Sequence, residues 1–127
     1  MKANIEIEKH DILSETDVEV LVNTFYTKVR QDELLSDVFD PIVKDWEKHL
    51  KLMTDFWSTL LLYTRKYNGD PLPKHLPLPV NKTHFDRWLL LFDATVDELF
   101  EGVVAENAKK RAASISRIMK AVKNIPQ

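Results

Sequence analysis

Two features of this sequence predict an all-α fold. Apolar residues recur every three or four positions almost throughout the chain, which is the spacing of amphipathic helices and not the alternation of strands. Glycine, which weakens helices, occurs only twice in 127 residues. A chain of this length can bury a real core but is short for two of them. We therefore expect a single helical domain over residues 1–127.

The composition argues against several classes of function. A formal net charge of −2 offers no general attraction for nucleic acid or for anionic lipid. Because cysteine is absent, disulfides, thiolate metal sites and iron–sulfur clusters are excluded. No apolar run approaches the length of a membrane span, and the N-terminus has no signal pattern. We expect a cytoplasmic protein without nucleic-acid or membrane partners.

The first two helices are marked by a cap and by a proline. Ser14 and Asp17 have the spacing of a capping box, and the helix that follows should end near Gln31. A shorter helical segment covers 34–39 and is broken at Pro41, whose ring cannot continue a helix. The apolar stripe of the first helix consists of Val18, Leu21, Val22, Phe25 and Val29.

The third helix begins near Lys44 or Asp45, and we expect it to stop at Gly69, since glycine favours the left-handed conformation that follows many helices. His49 lies one turn before Met53, on a stripe that flanks the apolar face and therefore stands beside the core. The apolar face itself carries Trp46, Leu50, Met53, Trp57, Leu60 and Leu61.

Two further helices complete the pattern. Thr83 and Asp86 have the spacing of a second capping box, and Gly102 is expected to mark the end of the helix that follows. Residues 1–13 form an N-terminal extension to which we assign no role. The apolar face of the fourth helix carries Phe85, Trp88, Leu89, Phe92, Val96 and Leu99, and that of the last helix carries Ala108, Ala112, Ile115, Met119 and Val122.

One histidine is enclosed by prolines. Four of the six prolines lie within four residues of His75, so residues 70–79 form a stiff loop and not an ordinary helix. Leucines alternate with these prolines, which indicates that the imidazole packs against something apolar. A packing role and a ligand role for His75 both remain open at this point. Between His75 and His49, a slot for a flat apolar cofactor would have as walls Phe25, Met53, Trp57, Leu76 and Phe92.

Four short segments follow one another in a characteristic order. They are Phe25-Tyr26-x-Lys28-Val29-Arg30, Trp46-x-x-His49 with Phe56-Trp57, Tyr67-Asn68-Gly69-x-Pro71-Leu72-x-Lys74-His75-Leu76, and Phe85-x-x-Trp88-Leu89-x-Leu91-Phe92. In this order they resemble the truncated haemoglobins, specifically the third group of that family. The resemblance covers most of the chain, and the glycine-pair motifs of the other two groups are missing.

The resemblance implies a truncated globin fold, a two-over-two sandwich of helices around haem b (iron protoporphyrin IX). His75 would then be the proximal iron ligand, Tyr26 and Trp88 distal hydrogen-bond donors, and His49 a distal gate or modulator. It also implies that the haem pocket includes Phe25, Met53, Trp57, Leu76 and Phe92.

The resemblance further implies a protein that binds oxygen, nitric oxide or other diatomic ligands. Two distal donors would retain oxygen too long for a carrier. Ligand scavenging or redox chemistry is favoured instead, such as nitric oxide dioxygenase or peroxidase-like activity with an unidentified reductase. The alternative is a helical interaction module without a cofactor, which would bind a partner through the basic residues of the last helix.

Overall fold

The structure is a computed structural model that describes residues 9–69 and 78–125. Within those ranges every regular element is an α-helix, which confirms the predicted fold class. The helices are α1 (Glu15–Gln31), α2 (Glu33–Phe39), α3 (Trp46–Leu62), α4 (Lys82–Leu99) and α5 (Val103–Val122). The predicted ligand His75 and its neighbour Leu76 lie outside the described residues.

Helix α1 lies at the centre of the domain. It packs against α2, α3 and α4, while α4 also packs along α5. The pairs α1–α3 and α4–α5 therefore form the two layers of the sandwich, and α2 bridges them. The predicted apolar stripe of α1, from Val18 to Val29, is fully buried between the layers and forms the middle of the core.

At the start of α1, only one of the two hydrogen bonds of the predicted capping box is formed. Ser14 is the N-cap, and its hydroxyl accepts a hydrogen bond from the Asp17 amide at 3.3 Å. The Asp17 carboxylate accepts from the amide of Leu13 at 2.9 Å, one residue earlier than in a capping box. The chain that enters the helix is thereby held by both residues.

Helix α3 ends at Leu62, seven residues before the glycine that was expected to stop it. The C-cap is Tyr63, which takes the left-handed conformation with φ 59° and ψ 35°. The amide of Tyr67 then donates to the hydroxyl of Thr59 at 3.0 Å, so the chain turns back along the helix. The prediction of Gly69 was wrong because Tyr63, an exposed residue, takes the left-handed conformation that propensity assigns to glycine and ends the helix there.

Helix α4 begins two residues earlier than predicted, because its N-cap is not Thr83. Its N-cap is Asn81, whose side chain accepts from the amides of Thr83 at 2.9 Å and His84 at 3.4 Å. In return, the His84 side chain accepts from the Asn81 amide and closes a capping box. Thr83 is therefore inside the helix and not its cap. The histidine at the third helical position gave no warning of this, since glutamate or glutamine is usual there.

Gly102 starts α5 and does not end α4. Helix α4 ends at Leu99 with Phe100 as its C-cap, and Gly102 is the N-cap of α5 with φ 137°, a conformation suited to glycine. A Cβ atom at position 102 would lie 2.5 Å from Cγ of Asp11, so a side chain is excluded there for steric reasons as well.

Two residues of the N-terminal extension have a structural role. The Asp11 carboxylate accepts hydrogen bonds from the amides of Val104 at 2.9 Å and Ala105 at 2.8 Å, so it caps α5 from a distant part of the chain. The neighbouring Ile12 is 1% exposed and belongs to the core. The extension is thus joined to the helical domain from Asp11 onward.

Candidate functional site

A cavity of about 820 Å³, partly open to solvent, lies among the helices. All five described helices and the segment before α4 contribute to its wall. The lining residues are Tyr26, Leu35, Val38, Phe39, Met53, Phe56, Trp57, Leu78, Val80, His84, Phe85, Trp88, Ile115 and Met119.

The wall of this cavity is apolar with a few polar atoms. Among the described lining residues, the only side chains that can form conventional hydrogen bonds are those of Tyr26, Trp57, His84 and Trp88. Such a wall accommodates an extended apolar molecule and fixes its orientation at a small number of points. The donors Tyr26 and Trp88 come from α1 and α4, the two helices that pack across the layers.

Tyr26 stands on the inner side of α1, next to the apolar stripe. It is buried, with its ring edge-on to Phe25 at a centroid distance of 4.9 Å. Burial raises the pKa of the Tyr26 hydroxyl far above its ordinary value, so the group stays protonated at neutral pH. The hydroxyl is therefore available as a hydrogen-bond donor at the cavity.

The orientation of Trp88 is set by a stack of rings. Phe92 lies nearly parallel to Trp88 at 5.8 Å and to Trp57 at 4.7 Å, with interplanar angles of 13° and 21°. Phe25 contacts Trp88 edge-on at 5.8 Å. Because a buried stack restricts the rotamers of its members, the indole N–H of Trp88 has a limited range of directions.

His49 is close to the cavity but is not part of the described wall. Its imidazole contacts Tyr26 at 5.1 Å and Trp46 at 5.5 Å, both edge-on, and Phe39 at 6.5 Å. The guanidinium carbon of Arg30 lies 4.5 Å from the centre of the Trp46 ring. The histidine thus stands behind Tyr26 and Phe39, held among three aromatic rings.

The predicted pocket residues that the structure describes fall into two groups, one in the cavity wall and one behind it. Met53 and Trp57 line the cavity, whereas Phe25 and Phe92, each 1% exposed, lie behind it and contact Trp88. Leu76, like His75, is outside the described residues. The structure therefore brings Tyr26, Trp88, Met53 and Trp57 to one cavity and surrounds them with the remaining described candidates.

Most of the apolar wall was not predicted as part of a site. These residues are Leu35, Val38, Phe39, Phe56, Leu78, Val80, Phe85, Ile115 and Met119. Helical periodicity marks such residues as inward-facing but does not tell which of them border a gap. His84 also belongs to the wall, and its ring is fixed by the cap of α4, of which the sequence contained no signal.

Two other kinds of feature are absent from the described part of the chain. Residues 9–69 and 78–125 contain no group of three or more histidine or acidic side chains placed to hold a metal ion. Nor does any helix within these ranges have the length and hydropathy needed to cross a membrane.

Comparisons with known proteins agree with this architecture. Among curated proteins, the chain is 30% identical over 113 residues to the group 3 truncated hemoglobin ctb of Campylobacter jejuni, covering 85% of this chain and 89% of that protein. It is 28% identical over 101 residues to the group 2 truncated hemoglobin YjbI of Bacillus subtilis, covering 76% of each.

Solved structures give the same result. The crystal structure of a group III truncated hemoglobin from Campylobacter jejuni superposes with a TM-score of 0.84 at 28% identity, covering 91% of this chain and 94% of that one. The truncated oxygen-avid haemoglobin of Bacillus subtilis superposes with a TM-score of 0.70 at 27% identity, covering 84% and 92%. The resemblance to group III truncated haemoglobins is confirmed.

The family is established by the extent of the match along the chain. The sequence model of the bacterial-like globins matches residues 11–124, which include every described helix and the capping residue Asp11. The helices and the residues that line the cavity therefore lie together in one matched region. The chain belongs to the bacterial-like globin family.

Proposed function

We propose that the protein binds haem b in this cavity and holds oxygen or another diatomic ligand next to Tyr26 and Trp88, for ligand scavenging or redox chemistry and not for transport. The observation that carries the proposal is the presence of two hydrogen-bond donors, the phenol of Tyr26 and the indole of Trp88, in the mainly apolar wall of a cavity in a globin chain.

The described residues fit haem on two counts. The wall of the cavity is mainly aromatic and aliphatic, and its hydrogen-bonding side chains are few. His75 is proposed as the axial ligand from its match to the proximal segment of the family.

When bound, haem supplies an iron that takes diatomic ligands and changes oxidation state. The side chains of this protein decide how long such a ligand stays. Tyr26 donates its hydroxyl hydrogen, and Trp88 donates its indole hydrogen, since an indole nitrogen cannot accept. The mainly apolar wall offers few other polar groups that would compete for these donors.

The donors explain why retention is favoured over release. A hydrogen bond to a partly charged ligand contributes about 1.5–3 kcal/mol, so two of them slow dissociation by up to roughly 10²–10⁴-fold if they act together. Such a protein suits a reaction in which held oxygen meets nitric oxide, or in which peroxide is consumed. Repeated turnover needs an electron donor such as a reductase. One structural relative is itself described as oxygen-avid, which agrees with this proposal.

The alternative interaction module finds less support in the described contacts. The basic residues of α5 are in part engaged within the domain, since Lys109 pairs with Asp97 at 2.7 Å and with Glu106 at 3.0 Å. Lys120 pairs with Asp86 at 3.1 Å. These lysines are therefore not free to define a docking face.

The test of the proposal is the visible absorption spectrum of the purified protein with haem supplied. Wild type and His75→Ala are compared in the oxidised, reduced and carbon monoxide forms. We expect a sharp Soret band from one haem per chain in wild type, and its loss or rearrangement in the variant. A wild-type protein that takes up no haem would refute the proposal, and an unchanged variant would refute the assignment of His75.

A further inference from the structure

His84 is the one described lining residue of the cavity that can carry a positive charge. The other described side chains of the wall are aliphatic, aromatic or thioether groups, together with the neutral phenol of Tyr26. His84 has no role in the proposed chemistry so far, and its ring is held by the cap of α4. A base in an apolar wall indicates that the ligand has an anionic group at that point.

The cap engages one ring nitrogen of His84 and does not use the other. Nδ1 lies 3.1 Å from the Asn81 amide nitrogen and 3.0 Å from Asn81 Oδ1, so this nitrogen is occupied by Asn81. In the neutral ring, Nδ1 accepts from the amide, and the proton is therefore on Nε2. In the imidazolium, Nδ1 donates to Oδ1, and Nε2 carries a proton as well. In both states Nε2–H is a donor that the cap does not use.

Other cations on the same helix are engaged elsewhere. Arg87 Nε lies 3.3 Å from a carboxylate oxygen of Asp32, the residue that caps α2. Lys82 forms an ion pair with Asp86, one turn further along α4. Neither residue lines the cavity. His84 is thus the described group of α4 best placed to meet an anion inside it.

We propose that His84 anchors a carboxylate of the molecule in this cavity through Nε2–H, with Asn81 fixing the ring in the donating state. The ligand class is a flat, largely apolar molecule with carboxylate arms, which for haem means a propionate. This inference rests on the proposed haem function and adds to it the side chain that orients the cofactor at the start of α4.

The test compares release of haem and of haem dimethyl ester, whose carboxylates are blocked. Wild type, His84→Phe and His84→Glu are loaded with each, and transfer to an excess of an apo-globin acceptor is timed. Phenylalanine keeps the ring volume without nitrogen, and glutamate keeps the capping acceptor without a donor. The free energy of unfolding of each variant is measured in parallel.

We expect both variants to release haem roughly 10-fold or more faster than wild type, the factor for losing one hydrogen bond to a charged group. All three proteins should release the dimethyl ester at rates within about 2-fold of one another. Equal acceleration for both porphyrins would mean that the substitutions damage the wall, and unchanged haem release would also overturn the inference. Failure of wild type to take up haem would instead refute the proposed function.

The protonation state gives a second, independent readout. Long-range nitrogen–proton NMR correlations of the His84 ring, in the reduced carbon monoxide form, should show a proton on Nε2. A neutral ring with its proton on Nδ1 would leave Nε2 as an acceptor and would overturn the inference. Asn81→Ala removes the side-chain oxygen but keeps the backbone amide that donates to Nδ1, so the proton of the neutral ring should stay on Nε2 in that variant.

Discussion

The imidazole of His49 stands edge-on to the phenol ring of Tyr26, with their centroids 5.1 Å apart and their planes at 84°. On its other side it meets Trp46, which is covered by the guanidinium of Arg30. The cavity wall in the described ranges includes Tyr26 but not His49. From this contact we predict that His49 holds the ring of Tyr26 in place and does not itself contact a ligand.

This relationship predicts different outcomes for two substitutions of His49. His49→Phe keeps an aromatic ring against Tyr26, whereas His49→Ala removes it. An aromatic contact contributes about 0.5–1.5 kcal/mol, so we expect the alanine variant to release oxygen roughly 2–12-fold faster and the phenylalanine variant to stay near wild type. Stopped-flow displacement of oxygen by carbon monoxide measures both rates. Equal acceleration in the two variants would show that the imidazole nitrogen itself acts on the ligand.

The donor role of Tyr26 predicts a larger kinetic effect. Tyr26→Phe removes the hydroxyl and keeps the ring, so the contacts with Phe25 and His49 remain. We expect oxygen release to accelerate by roughly 10–100-fold, with a smaller change in the association rate.

Trp88→Phe is the matched variant for the second donor, since it keeps a ring beside Phe92. If the two donors act on the same ligand, the double variant should show less than the product of the single effects. Flash photolysis and stopped-flow mixing give the rates. An unchanged release rate in Tyr26→Phe would exclude the distal role of the hydroxyl.

The buried phenol also predicts a dependence of stability on alkaline pH. Because burial raises the pKa of Tyr26 above its ordinary value, the unfolded state loses the proton first as the pH rises. The free energy of unfolding should therefore fall as the pH passes about 10, the ordinary value for tyrosine. Tyr26→Phe should show a shallower fall between pH 9 and 11 in denaturant titrations. If the free energy of unfolding fell equally with pH in wild type and in Tyr26→Phe, this prediction would be wrong.

The cap formed by Asp11 predicts a contribution to the free energy of unfolding that is lost at acid pH. Burial acts to raise the pKa of the Asp11 carboxyl, but hydrogen bonds from the amides of Val104, Ala105 and Ile12 outweigh it and hold the pKa below its ordinary value. A lowered pKa stabilises the fold above the unfolded value of about 3.9, and this stability is lost as the pH falls through the folded value.

Asp11→Ala should therefore lower the free energy of unfolding by about 1–2 kcal/mol at pH 7. The difference from wild type should shrink as the pH falls from about 5 toward 2, since the wild-type carboxylate is then protonated. Urea titrations at several pH values measure this difference in the free energy of unfolding. Glu19→Ala, an exposed acidic residue without a described hydrogen bond, serves as control, and an equal loss there would argue against a specific cap.

Much of this architecture can be read from the sequence because it depends on local patterns. The apolar stripe of α1 identifies its buried face, and Ser14 and Asp45 mark helix starts by side-chain chemistry that needs no distant partner. The order of the motifs around Tyr26 and Trp88 was sufficient to point to the family.

Other features depend on contacts between distant residues and cannot be read locally. Gly102 is required because Cγ of Asp11, from a distant part of the chain, lies 2.5 Å from the position that a Cβ atom would take. Trp57 lies in the cavity wall and Phe92 lies behind it because of the way in which α3 and α4 pack against α1. Periodicity specifies which side of a helix turns inward, but the gap left between packed helices depends on all of their side chains at once.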